Sequence, residues 1–191
     1  KSDMADKKKP DPQELKKQIN AYTAEFPRYR TYAETLKRVL EKACKTSIPE
    51  AFIQARPKSV SSFSGKAVRR CDRFSDPVNQ MDDLCGGRVI VQTTDQVNAI
   101  RRFIETNFEV VEQEDKGLLL GEQEFGYRDM HYIVRLCPER DKALGISREE
   151  RRAIGNRMAE IQVRTWGQHA WADTLHDRIY KNSLKISFEA K

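Results

Sequence analysis

EIQVRT, residues 160–165, is the stretch on which the reading of this chain turns. Its β-branched Ile161, Val163 and Thr165 favour a strand, and in a strand successive side chains point to opposite faces. Glu160, Gln162 and Arg164 therefore line up on one face, opposite an apolar row. An edge strand with one face in water would show the same alternation. A charged face on a core strand needs a reason, and the neighbouring segments are where it has to come from.

Downstream, a helix is expected over roughly 168–181. Upstream, Ser147 with Glu150 three residues on forms a capping box that opens a short helix in SREERRAIG. MHYIVRL at 130–136, FEVVEQ at 108–113, GRVIVQT at 87–93 and residues 52–59 read as strands, with a helix over 95–107. A Ser-rich turn leads into a basic helix near 66–73. Between 14 and 45 apolar residues recur at helical spacing on either side of Pro27, which predicts two amphipathic helices. About five strands mixed with helices make an α/β (mixed α+β) fold, a sheet covered by helices. Residues 1–13, rich in Lys, Asp and Pro, read as a disordered tail or linker, and 14–191 as one domain: N-terminal helices to 45, then a core over 46–181.

Lys plus Arg outnumber Asp plus Glu by 35 to 29, for a net charge of +6, which favours an anionic partner. No apolar run reaches the ~18 residues of a membrane span, and the N-terminus lacks a signal-peptide core. The four cysteines, Cys44, Cys71, Cys85 and Cys137, contain no C-x-x-C pair and read as reduced, buried thiols of a cytoplasmic protein. The chain starts at Lys1, which suggests a piece of something longer and leaves open secretion as part of a larger effector.

Familiar motifs fail. Gly65–Lys66 is no P-loop, because Val60 stands where the first glycine belongs and Ala67 replaces Ser or Thr. Gly86–Gly87 does not fit the dinucleotide fingerprint, and His131, His169 and His176 lack zinc-ligand spacing. RPKSVSSFSGK differs, placing Arg56, Lys58, Ser62 and Lys66 where a strand runs into a helix, a corner suited to polyphosphate. MDDLCGGR adds Asp83 and Arg88, and a carboxylate near a phosphate corner suggests Mg²⁺. In GYRDMH, Gly126 permits a turn, Tyr127 offers a flat face to a base, and His131 follows.

Taken in order, R-x-K-x-x-x-S-x-x-x-K, D-x-x-G-x-R, G-Y-x-x-x-H and E-x-Q-x-R-T resemble the synthetase domain of the RelA/SpoT homologue family, the (p)ppGpp synthetases, with their small alarmone synthetases and synthetase-like toxins. The resemblance covers roughly residues 45–181, most specifically EIQVRTWGQHAWADTLHDRIYK. It implies a nucleotidyltransferase-like mixed sheet and transfer of the pyrophosphate of ATP to the 3′-hydroxyl of a purine nucleotide, with AMP released. It further implies that Arg56 and Arg88 sandwich the adenine, that Lys58, Ser62 and Lys66 hold the phosphates, and that Asp83 and Glu160 hold Mg²⁺. Glu160 would orient or deprotonate the attacking hydroxyl, and Tyr127 would stack on the acceptor purine. His131 would meet acceptor phosphate, with Gln162, Arg164 and His169 lining the same cleft. Such transfer needs charge neutralisation and in-line placement, not a covalent nucleophile.

The chain also departs from the family's pattern. Synthetases using GDP or GTP commonly carry Lys shortly before the G-Y pair, whereas GEQEFGY has Glu122 and Glu124; further upstream, EQED at 112–115 is acidic, like the charge-reversed version found in some synthetase-only members. Adenosine nucleotides, giving (p)ppApp, or the 3′ end of tRNA are therefore competing acceptors; a toxin would also imply a cognate antitoxin or immunity protein. His176–Asp177 cannot stand for the separate hydrolase domain of long members. The chain ends ten residues after Lys181, short of a tetramer-forming helix, so a monomer is expected. A non-catalytic RNA-binding or regulatory module is the reading of another class, and intact Asp83 and Glu160 argue against it.

Overall fold

The computed structural model describes residues 11–115 and 130–172. The elements run α1 (Pro12–Cys44), β1 (Phe52–Pro57), α2 (Val60–Arg69), α3 (Pro77–Gln80), β2 (Cys85–Val91), α4 (Thr94–Asn107) and β3 (Phe108–Asp115). After 116–129 follow β4 (Met130–Leu136), a 3-10 turn at Pro138–Arg140, α5 (Asp141–Leu144), α6 (Arg148–Ile154) and β5 (Ala159–Thr165), with 166–172 helical. None of the described helices is long and apolar enough to cross a membrane.

The five strands form one mixed sheet in the order β1-β2-β5-β4-β3, so EIQVRT lies in its centre and is no edge strand. β5 runs parallel to β2 and antiparallel to β4. One face, with Val89, Ile161, Val163, Tyr132 and Val134, is sealed in the core against α1 and α4. Gly87 shows how closely α1 settles: a Cβ there would stand 3.0 Å from Leu36 Cδ2. α1 and α4 thus cover one face, while the other carries the polar side chains of the central strands.

Three expectations need correction. α1 is a single helix through Pro27 rather than two. Proline removes one backbone hydrogen bond and costs about 3 kcal/mol. The stripe Tyr22, Tyr29, Tyr32, Leu36 and Leu40 is buried on both sides of it, and this shared packing outweighs the local break. The serines at 59–64 open α2 instead of forming a turn before it: Ser59 caps the helix by accepting from Ser62 N at 3.1 Å. Finally, all four cysteines are free, but only Cys44 and Cys85 are buried.

A register shift between Val110 and Glu112 marks a bulge in β3. One extra residue exchanges the faces of everything after it. Phe108 and Val110 pair with Leu136 and Val134 on the core side, whereas Glu112 and Glu114 pair with Ile133 and His131 on the polar side.

The capping box at α6 also anchors that helix to α1. Glu150 accepts from Ser147 N at 2.7 Å, Arg38 Nη2 at 2.6 Å and Thr35 Oγ1 at 2.9 Å. Burial alone would raise its carboxyl, but these donors bring it from 4.5 down to about 2. The folded value is the lower one, so the stabilisation is complete above pH 4.5 and is lost as pH falls through about 2. Glu150→Gln keeps a capping side chain and loses the charge. It should cost about 1–2 kcal/mol at neutral pH and flatten the acid limb of stability in urea melts taken from pH 7 downward.

Candidate active site

Strand pairing assembles the polar face in rows. Arg56 on β1 stands opposite Gly86 on β2, and Gly86 opposite Glu160 on β5. In the next row Gln54, Arg88, Gln162, His131 and Glu114 follow one another across all five strands. A third row is apolar only at its β1–β2 end: Phe52 pairs with Ile90 and Ile90 with Arg164, and the Phe52 ring lies 5.7 Å from that of Trp166.

Over β1, β2 and β5 opens a cavity of about 960 Å³. Arg56, Lys58, Ser62, Asp83, Arg88, Glu160 and Gln162 all line it, so seven of the sequence candidates come together there. Lys66 joins through Asp83: Lys58 Nζ and Lys66 Nζ both donate to Asp83 Oδ2 at 2.8 Å. Burial would raise the Asp83 carboxyl, and the two ammonium groups outweigh it and hold it below the ordinary range. Its second oxygen, Oδ1, is buried with no hydrogen-bond partner.

Glu160 is buttressed at both oxygens. His131 Nδ1 is 2.7 Å from Oε1, and Gln162 Nε2 donates to Oε2 at 3.0 Å. Burial and the Asp83 charge push the carboxyl up; the His131 hydrogen bond and charge, with Gln162, pull it lower overall. Arg164, 4% exposed, donates to Gln162 Oε1 at 2.5 Å and so braces Gln162 from the adjoining position on the same face. His169 does not line the cavity; its ring lies 5.8 Å from Trp166. Tyr127, Glu122 and Glu124 fall outside the described residues.

Sequence reasoning missed Gln54, Ser59 and Lys37, which also line the cavity. Gln54 was legible, being two residues before Arg56 on the same strand. Lys37 lies on α1, and nothing local marks it. A second cavity of about 620 Å³, lined by Lys142, Arg148 and Arg152 among others, contains none of the candidates; Arg151 there is spent on Asp141 and the Leu136 carbonyl.

Among the described residues no three His, Cys, Asp or Glu side chains form a metal cage. Asp83 and Glu160 nevertheless line one cavity beside cations, and Asp83 keeps one oxygen without a hydrogen-bond partner, a donor set suited to a hard cation that takes its remaining ligands from phosphate and water.

The family model described as the region found in RelA / SpoT proteins matches residues 55–185. Small alarmone synthetase 1 from Bacillus subtilis superposes with a TM-score of 0.66 at 25% identity, over 86% of this chain and 81% of that one. The same enzyme bound to its product pppGpp gives 0.66 at 26%, over 87% and 84%. A GTP pyrophosphokinase family protein from Streptococcus pneumoniae gives 0.65 at 22%, over 88% and 81%. No curated protein matches the chain.

Proposed function

The chain belongs to the family defined by the region found in RelA and SpoT proteins and is a nucleotide pyrophosphokinase; from that premise we propose that it moves the pyrophosphate of ATP to the 3′-hydroxyl of a purine nucleotide across the cavity over β1, β2 and β5. The observation that carries this reading is the meeting of Asp83 and Glu160 in one cavity with Arg56, Lys58 and Arg88.

Each residue has a task its chemistry suits. Arg56 and Arg88 extend from neighbouring strands and offer planar cations to the faces of the donor base. Lys58 and Lys66, with Ser62 in the first turn of α2, bind the donor's phosphates. Asp83 and Glu160 would hold Mg²⁺, which when bound neutralises charge on the polyphosphate. Glu160 orients the acceptor hydroxyl and takes its proton; the lowered carboxyl makes it a weak base, so placement by His131 and Gln162 matters more than basicity. Tyr127 is the proposed stacking face for the acceptor purine.

Arg56→Ala and Arg88→Ala should each weaken the donor more than the acceptor, by about 1 kcal/mol or more. Isothermal titration with a non-hydrolysable ATP analogue, and separately with acceptor, checks this; equal losses on both would contradict the division of the cleft.

Acceptor choice is the finer part of the proposal. Glu114 stands in register with His131 and Glu112 with Ile133, and the acceptor role proposed for His131 puts both carboxylates near the acceptor. Carboxylates there oppose a 5′-polyphosphate, as Glu122 and Glu124 would. GDP and GTP are therefore not preferred over ADP and ATP by more than about 100-fold. Incubating labelled ATP with equimolar acceptors, then separating products by anion exchange, tests both the reaction and the preference. A larger guanosine preference restores the ordinary (p)ppGpp synthetase; no transfer to any free nucleotide points to deacylated tRNA and the toxin reading, with its cognate antitoxin.

A further inference from the structure

Resting on that reading, the inference concerns Asp83 before a donor arrives. Lys58 Nζ and Lys66 Nζ converge on the single oxygen Oδ2, each at 2.8 Å. Two ammonium groups on one anionic oxygen is the arrangement expected around a phosphate oxygen. The carboxylate is crowded with donors on one side, while Oδ1 is buried and bare on the other.

We infer that Asp83 stands in for donor phosphate, engaging Lys58 and Lys66 until a divalent cation takes the carboxylate, so that metal and polyphosphate bind cooperatively. A polyphosphate entering without metal meets lysines already occupied and a fixed negative charge between them. A cation at Asp83 cancels that charge and frees both ammonium groups at once. By linkage the effect is mutual: bound polyphosphate strengthens metal binding by the same factor.

The local backbone favours this exchange. Lys58 N donates to Leu84 O at 2.9 Å, which ties Lys58 to the segment carrying Asp83. Tyr22 Oη donates to Lys58 O at 2.5 Å, fixing the same peptide from α1. The backbone is thus held, and the change of partners falls to the side chains. Lys66, 31% exposed at its side chain against 18% for Lys58, has the greater freedom to swing.

The test is calorimetric binding of an α,β-methylene ATP analogue to wild type and to Asp83→Asn, in EDTA and in excess Mg²⁺. In EDTA the variant should bind at least about tenfold tighter than wild type, because a charge next to the phosphates has gone. Added Mg²⁺ should then help the variant far less than it helps wild type. Equal or weaker binding by the variant in EDTA would overturn the inference and leave the donor reading standing. Failure of wild type to bind the analogue even in Mg²⁺ would remove both. Circular dichroism reports folding, and Lys66→Gln, at a more exposed position, is an independent check. It should weaken binding more in Mg²⁺, where the lysine is free, than in EDTA, where Asp83 holds it. A loss of equal size in both conditions overturns the inference.

Discussion

Glu160→Gln is expected to lower the rate of pyrophosphate transfer by about a thousandfold while the protein melts close to wild type. The amide has the carboxylate's shape, so the strand and its apolar underside of Ile161 and Val163 are undisturbed. What disappears is the charge, which the His131 contact at 2.7 Å and the Gln162 contact at 3.0 Å help to maintain against burial. An amide accepts no proton from an attacking hydroxyl and is a poorer ligand for a hard cation. Steady-state rates and melting curves measured on one preparation separate the two effects. Near-normal turnover would take Glu160 out of the mechanism.

The second large effect lies outside the cavity. Tyr22 is fully buried on α1, its ring stacked 4.4 Å from Phe63 of α2, and its hydroxyl donates to the Lys58 carbonyl. Tyr22→Ala should cost about 3–5 kcal/mol, combining the loss of a core aromatic with an orphaned carbonyl. Tyr22→Phe keeps the ring and should cost about 1 kcal/mol. Because that carbonyl belongs to the residue whose side chain holds Asp83, the Phe variant should also raise the KM for ATP. Urea denaturation gives the first quantity and donor titration the second. A Phe variant with unchanged KM would show that α1 supports the fold without positioning the phosphate corner.

The polar face of EIQVRT was legible because side-chain direction in a strand is a local property with period two. The capping box at Ser147 and Glu150 was legible for a similar reason, since its partners lie within one turn. The residues brought to the cavity were read from ordered motifs, and seven of them line it. Pro27 misled because its cost is local, whereas the burial that overrides it comes from the sheet beneath α1. The start of α2 was placed late because serines suit turns and helix caps alike.

Alone, the sequence determined which side chains share a face of each strand, the capping signals, and the motifs that mark family and chemistry. Only the tertiary structure decided which faces meet. It set EIQVRT in the middle of the sheet beside β2, so that Gly86 leaves room between Arg56 and Glu160. It brought Lys58 and Lys66 onto one oxygen of Asp83, and His131 onto Glu160. It also turned Glu112 and Glu114 to the polar side through a one-residue bulge. These are pairings between segments distant in the chain, set by strand register and the packing of α1 against Gly87; local propensity carries no information about either.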